Sequence, residues 1–200
     1  MKTFAFAAFA LGLSLISGIA AAETPVTRTR GTIEQVADQS LALKTRDGKT
    51  VTVNLAADTK LIGASHAEVG DIKPNSYIGS AAVPQSDGSL KALEVSVFDP
   101  SLRGTGDGHY DWDLGKNSTM TNGAVGDLVV SDGRTMTVKY NGGEKKIVVP
   151  DDVPIVALAP GDRSLLKPGA RVIVIAHKSD DGSLTAVAVV AGQDGVVPPM

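Results

Sequence analysis

Asp87-Gly88-Ser89-Leu90 recurs as Asp181-Gly182-Ser183-Leu184, Lys73-Pro74 as Lys167-Pro168 and Ala92 as Ala186, all at a constant spacing of 94 residues. A fixed spacing held across separate motifs is the signature of an internal repeat, and it governs every later reading of the fold. Further upstream, Gly31-Thr32-Ile33 is answered by Gly123-Ala124-Val125. Likewise Ser40-Leu41-Ala42-Leu43-Lys44 is answered by Thr135-Met136-Thr137-Val138-Lys139, with small shifts that reflect loop length. The chain therefore carries two copies of one unit.

Each copy reads as β-structure. Leu41 and Leu43, then Val51, Val53 and Leu55, alternate with polar residues on either side of Arg46-Asp47-Gly48-Lys49, a hairpin turn with glycine at the positive-φ position. A second hairpin joins Tyr77–Val83 to Leu90–Val97 through Ser86-Asp87-Gly88-Ser89. Copy two repeats both, turning at Asn141-Gly142-Gly143 and Asp181-Gly182. Between the hairpins, Ala56–Gly70 and Asp151–Leu166 offer the one place for a single helical turn, and no stretch sustains a 3.6-residue apolar period. Five short strands with an irregular element between the third and fourth is the order of a small closed barrel of the OB type, and closure removes two exposed edges per copy. The expectation is an all-β chain of two tandem five-stranded OB-like barrels joined by an irregular junction, with an SH3-like barrel or open meander as the alternative.

The N-terminus is read separately. Lys2 precedes the apolar stretch Phe4–Ile19, and Ala20-Ala21-Ala22 offers a small-residue cleavage site ahead of Glu23. This is the pattern of a secretory signal over residues 1–22, and it leaves barrel one at 23–99, a junction at 100–122 and barrel two with its tail at 123–200. An uncleaved anchor is the weaker reading, because the stretch is barely long enough to span and lacks flanking stop-transfer charges. No later stretch has the apolar length of a membrane span. A periplasmic or secreted location follows.

Lys2 is the only charged residue of the leader, so its removal takes the formal net charge from −3 to −4. An acidic chain is poorly suited to polyanions, whose binding depends on Lys and Arg displacing counterions, so no nucleic-acid partner is expected. With no cysteine anywhere, thiol catalysis, thiolate zinc sites and disulfide staples are excluded, and stability rests on packing.

Residues Asp99–Asn122 belong to neither copy. Within them Arg103-Gly104-Thr105-Gly106-Asp107-Gly108-His109-Tyr110-Asp111-Trp112-Asp113 concentrates aromatic and ligating groups. In an extended chain Asp107, His109, Asp111 and Asp113 share one side, and Tyr110 and Trp112 the other. Carboxylates with one imidazole suit Mn²⁺, Zn²⁺ or Ca²⁺, so these four are candidate metal ligands, although EF-hand spacing is not met. The simpler reading is that Tyr110 and Trp112 plug the junction while the carboxylates stay solvated. An Asp/His hydrolase is a third reading, weakened because residues two apart on one strand stand side by side rather than across a substrate. The favoured expectation is a non-catalytic envelope protein without a cofactor. It would bind an envelope protein or a glycan through the junction residues Arg103, Tyr110 and Trp112.

The motifs Gly31-Thr32-Ile33-Glu34, Asp71-Ile72-Lys73-Pro74, Arg103-Gly104-Thr105-Gly106, Trp112-Asp113-Leu114-Gly115, Ser118-Thr119-Met120-Thr121-Asn122 and Pro160-Gly161-Asp162-Arg163 together resemble an exported bacterial family classed as a domain of unknown function. Its members carry OB-like β-barrel repeats. The resemblance implies a fold and an export route, and no activity. Relatives sometimes carry a metal-transporter permease label, which the hydropathy of this chain contradicts.

Overall fold

The computed structural model describes residues 26–129 and 134–199, so the leader reading falls outside the described residues. These residues form thirteen strands in one continuous sheet. In chain order they are β1 (Val26–Ala37), β2 (Ser40–Thr45), β3 (Thr50–His66), β4 (Tyr77–Pro84), β5 (Leu90–Ala92), β6 (Val95–Phe98) and β7 (Gly108–Asp111). There follow β8 (Thr119–Val129), β9 (Thr135–Tyr140), β10 (Gly143–Val148), β11 (Ile155–Pro160), β12 (Arg171–Lys178) and β13 (Leu184–Gly192). The all-β expectation holds. All four expected hairpin turns form, with positive φ at Gly48, Gly88, Gly142 and Gly182. Among the described residues no helix is long and apolar enough to cross a membrane.

The expected tandem arrangement does not form, because the copies exchange their final hairpins. Strand β1 pairs with β2 and β2 with β3, as copy one alone would require, but the ring is completed by β13 against β3 and β12 against β1. Five strands thus close a barrel, three from copy one and two from copy two. The reciprocal set also pairs in a cycle: β8 with β9, β9 with β10, β10 with β5, β5 with β4 and β4 with β8. Its parallel β10–β5 contact is only two residue pairs long, Ile147 with Leu90 and Val148 with Lys91. Hairpin patterning fixes the strands and their local partners, but it says nothing about which copy supplies a non-local partner. With two near-identical hairpins in one chain, that choice lies outside the pattern.

What joins the two sets is the stretch expected to hold a helical turn. Residues 69–71 and 163–165 do form single 3₁₀ turns, but most of the first interval belongs to β3 and six residues of the second form a strand. Strand β3 bulges at residues 56–59, where Thr59 Oγ1 accepts from the Ala56 N–H at 2.9 Å and donates to the Ala186 carbonyl at 2.8 Å. It then runs on to His66. In copy two, Pro150 and Pro154 interrupt the same course, since neither has an N–H for the ladder, and the continuation becomes a separate strand, β11. The two continuations pair antiparallel, from Val156–His66 to Pro160–Ile62 with Leu158–Ala64 at the centre. Ala64 and Leu158 are themselves 94 residues apart, so the pairing is symmetric about that rung. The copies are related by an approximate two-fold, as in an isologous dimer.

Three cores follow from this layout. Leu41, Leu43, Val53, Val172, Val174 and Val189 fill the closed barrel. Ile78, Val95, Val125, Met136, Val138 and Ile147 fill the reciprocal set. Between them, Ile62, Ala64, Tyr77, Phe98, Leu158 and Val190 pack around the central ladder. Every cluster draws on both copies, so neither copy can bury its apolar face alone.

Two glycines at matching positions of the copies let neighbouring strands approach closely. A Cβ at Gly31 would lie 2.5 Å from the Lys44 carbonyl oxygen, and one at the matching Gly123 closer still to that of Lys139. Gly70, by contrast, faces open space. Gly123→Ala is expected to cost about 1–3 kcal/mol in urea unfolding, while Gly70→Ala stays within roughly 0.5 kcal/mol of wild type.

Candidate functional site

The junction segment leaves β6 through Asp99, whose carboxylate accepts from the Ser101 N–H at 2.9 Å and caps a 3₁₀ turn over Pro100–Leu102. It then doubles back at Gly104 and Gly106, both with positive φ. At Gly106 a side chain would be strained by the positive φ and would force Asn122 to shift, since a Cβ would sit 2.7 Å from its Nδ2. Asn122 instead donates to the Gly106 carbonyl at 3.0 Å and to the Tyr110 hydroxyl at 2.9 Å. Strand β7 pairs antiparallel with β8 from Gly108–Asn122 to Asp111–Thr119. A closing loop follows, pinned by Trp112 N–H to the Ser118 carbonyl at 2.8 Å and Ser118 Oγ to the Trp112 carbonyl at 2.9 Å.

The side alternation expected for this segment holds for its aromatic residues. Tyr110 and Trp112 share one side, with ring centroids 6.0 Å apart. His109 takes the other, stacked on Tyr140 at 6.0 Å with Nδ1 2.8 Å from Thr121 Oγ1. Burial lowers the His109 pKa, the Lys145 charge lowers it further, and Asp111 opposes both.

The four candidate metal ligands do not converge. Asp107 accepts from the Asn141 N–H at 2.7 Å and from the Tyr77 hydroxyl at 3.3 Å. Burial foremost, and then the Asp107 charge, push the Tyr77 phenol well above its ordinary range. Asp113 is gripped by both terminal nitrogens of Arg30 at 2.9 and 2.6 Å, which holds its carboxyl below the usual value. Asp111 lies exposed at the end of β7. Among the described residues no three His, Cys, Asp or Glu side chains are grouped to hold a metal ion.

Tyr110 and Trp112 line a cleft of about 680 Å³ together with Ile62, Phe98, Leu158 and Val190. Arg28, Lys60 and Arg103 are the charged residues of that lining, and no carboxylate belongs to it. The Arg28 guanidinium lies 3.9 Å over the Trp112 ring. Arg103 sits 5.6 Å over Tyr77 and donates to the Asn75 carbonyl. Arg28 Nε and Trp112 Nε1 are both buried with no hydrogen-bond partner. Of these residues, Arg103, Tyr110 and Trp112 were legible in the sequence as a junction cluster. Arg28 and Lys60 were missed: they come from strands far away in sequence, and only the exchange of hairpins brings those strands alongside the junction.

Close by, Glu94 is 1% exposed and neither carboxylate oxygen accepts a hydrogen bond. Burial pushes its pKa up from 4.5 to about 8, with the Arg30 charge opposing and Asp113 reinforcing. Below pH 4.5 the group is protonated in both the folded and unfolded chain. As pH rises toward 8 the unfolded chain ionises and the folded one does not, so stability is lost across that window. Glu94→Gln, which mimics the protonated form, is expected to raise Tm at pH 8 by about 5 °C or more. At pH 4 it leaves Tm unchanged.

Residues 30–96, which run from β1 to the middle of β6, match the family model of a domain of unknown function (DUF5666). No curated protein and no solved structure matches the chain.

Proposed function

We propose that the protein is an exported, non-catalytic binding protein of the cell envelope, and that its ligand site is the cleft beneath the junction segment. The observation that carries this reading is the cleft itself. A segment belonging to neither copy brings Tyr110 and Trp112 into one cleft with apolar residues from both strand sets. Clefts of roughly 300–1,000 Å³, mostly apolar with a few placed polar groups, are the usual form of small-molecule sites. Export rests on the Lys2–Ala22 pattern. A binding role is preferred to catalysis because His109 and Asp107 face away from the cleft, toward Tyr140 and Asn141.

Trp112 is the only tryptophan of the chain, so its emission reports the cleft directly. Adding the low-molecular-weight fraction of an envelope extract to the mature protein is expected to shift Trp112 emission saturably and raise Tm. Tyr110→Ala should weaken both responses about tenfold. Emission and Tm that stay fixed at every extract concentration would contradict a cleft ligand. Expressed with its leader, the protein should be recovered from the periplasm or medium beginning at Glu23. An intact Met1 in the cytoplasm would contradict export.

A further inference from the structure

The approximate two-fold gives the cleft an internal counterpart. Lys60, Ile62, Leu102 and Arg103 correspond, 94 residues on, to Pro154, Val156, Val196 and Val197. The correspondence is structural as well as sequential: Asp99 N–H donates to the Leu158 carbonyl at 2.7 Å, and Gln193 N–H to the Ala64 carbonyl at 2.9 Å. Pro154, Val156, Val196 and Val197 line a second cleft of about 580 Å³. In that cleft both cationic positions are apolar, and the charged side chains present, Glu68, Asp151 and Arg134, include two carboxylates. The strand position of Arg28, paired with Ile175, is matched by Met120, paired with Ala81, and Met120 lines the same cleft as Arg28 rather than the second one. Packing of the same frame therefore does not require a cation at any of the three positions.

We infer that the cleft beneath the junction binds an amphipathic anion, a carboxylate or similar head held by Arg28 and Lys60 with its apolar body on Ile62, Phe98 and Leu158. The inference rests on the binding reading above and names the ligand class for that site. Three cations and no carboxylate line the cleft. The carboxylate whose charge reaches Arg28, Asp113, is already held by Arg30. Arg28 Nε and Trp112 Nε1 are buried donors without acceptors, and an anionic head drawing the stacked pair apart would supply what both lack. A sugar stacking on the indole is disfavoured, because the Arg28 guanidinium occupies a face of Trp112 and Tyr110 leans against it.

Three probes that share one tail separate the contributions: decanoate, 1-decanol and decylammonium, each below its aggregation limit, titrated into the mature protein with Trp112 emission and calorimetry as readouts. Decanoate is expected to bind saturably and about tenfold or more tighter than decanol, with decylammonium weakest. Lys60→Gln, at an exposed position, should weaken decanoate several-fold and leave decanol unchanged. Arg28→Gln should weaken decanoate further and shift the unliganded emission. Equal affinity for decanoate and decanol would overturn the anion inference while leaving the cleft a binding site. No binding of any probe up to about 1 mM, with Trp112 emission also unmoved by envelope extract, would overturn both.

Discussion

The antiparallel ladder between β3 and β11, centred on the Ala64–Leu158 rung, is the constraint on which the rest of the molecule depends. Each strand that enters it has already served in one set, and β6 and β13 flank it in parallel register, Val95–Phe98 along β11 and Val189–Gly192 along β3. Backbone groups left unpaired at that depth would be costly, so the hairpins that carry β6 and β13 are held where the ladder needs them. Once β13 lies on β3, β12 is brought to β1. Hairpin exchange and central ladder are therefore one arrangement, and it turns two small units into a single cooperative body with three shared cores.

Sharing addresses a problem that the composition sets. A unit of about 70 residues buries too little surface to be robust alone, and this chain has no cysteine with which to staple it. Crossing the copies adds the central core of Ile62, Tyr77, Phe98, Leu158 and Ile173. It also creates a seam. On one side of the seam the short C-terminal tail folds back, with Val196 N–H donating to the Gln193 carbonyl at 2.9 Å. On the other side the longer junction segment follows β6 and contributes Tyr110 and Trp112 to the lining of the larger cleft. The two sides of the seam thus differ through two different continuations after equivalent strands.

Strand content, turn positions and the doubled unit were legible because they are local: Gly48, Gly88, Gly142 and Gly182 mark turns whose φ no other residue adopts as readily. The continuation of β3 was not, since Ile62, Gly63 and Ala64 are covered on both faces and show no alternation to distinguish them from an irregular link. The exchange was illegible for a different reason. Identical patterning in both copies makes intra-copy and inter-copy pairing equivalent on paper, and only the ladder distinguishes them. At the site, the aromatic pair was legible as a location, but its chemistry was not. The expected carboxylate face disperses to Asn141, Arg30 and solvent, and the charge that remains is basic, from Arg28 and Lys60 on distant strands.

The exchange is tested most directly by cross-linking, for which a cysteine-free chain is well suited. Val26 lies opposite His177 across β1 and β12, whereas pairing within copy one would set Val26 opposite Val83, 94 residues earlier. Under mild oxidation of the folded protein, Val26→Cys with His177→Cys should form an intramolecular disulfide in high yield, and Val26→Cys with Val83→Cys should remain reduced. The reverse result, a disulfide in the variant carrying Val26→Cys and Val83→Cys and none in the variant carrying Val26→Cys and His177→Cys, would show two self-contained barrels and contradict the account.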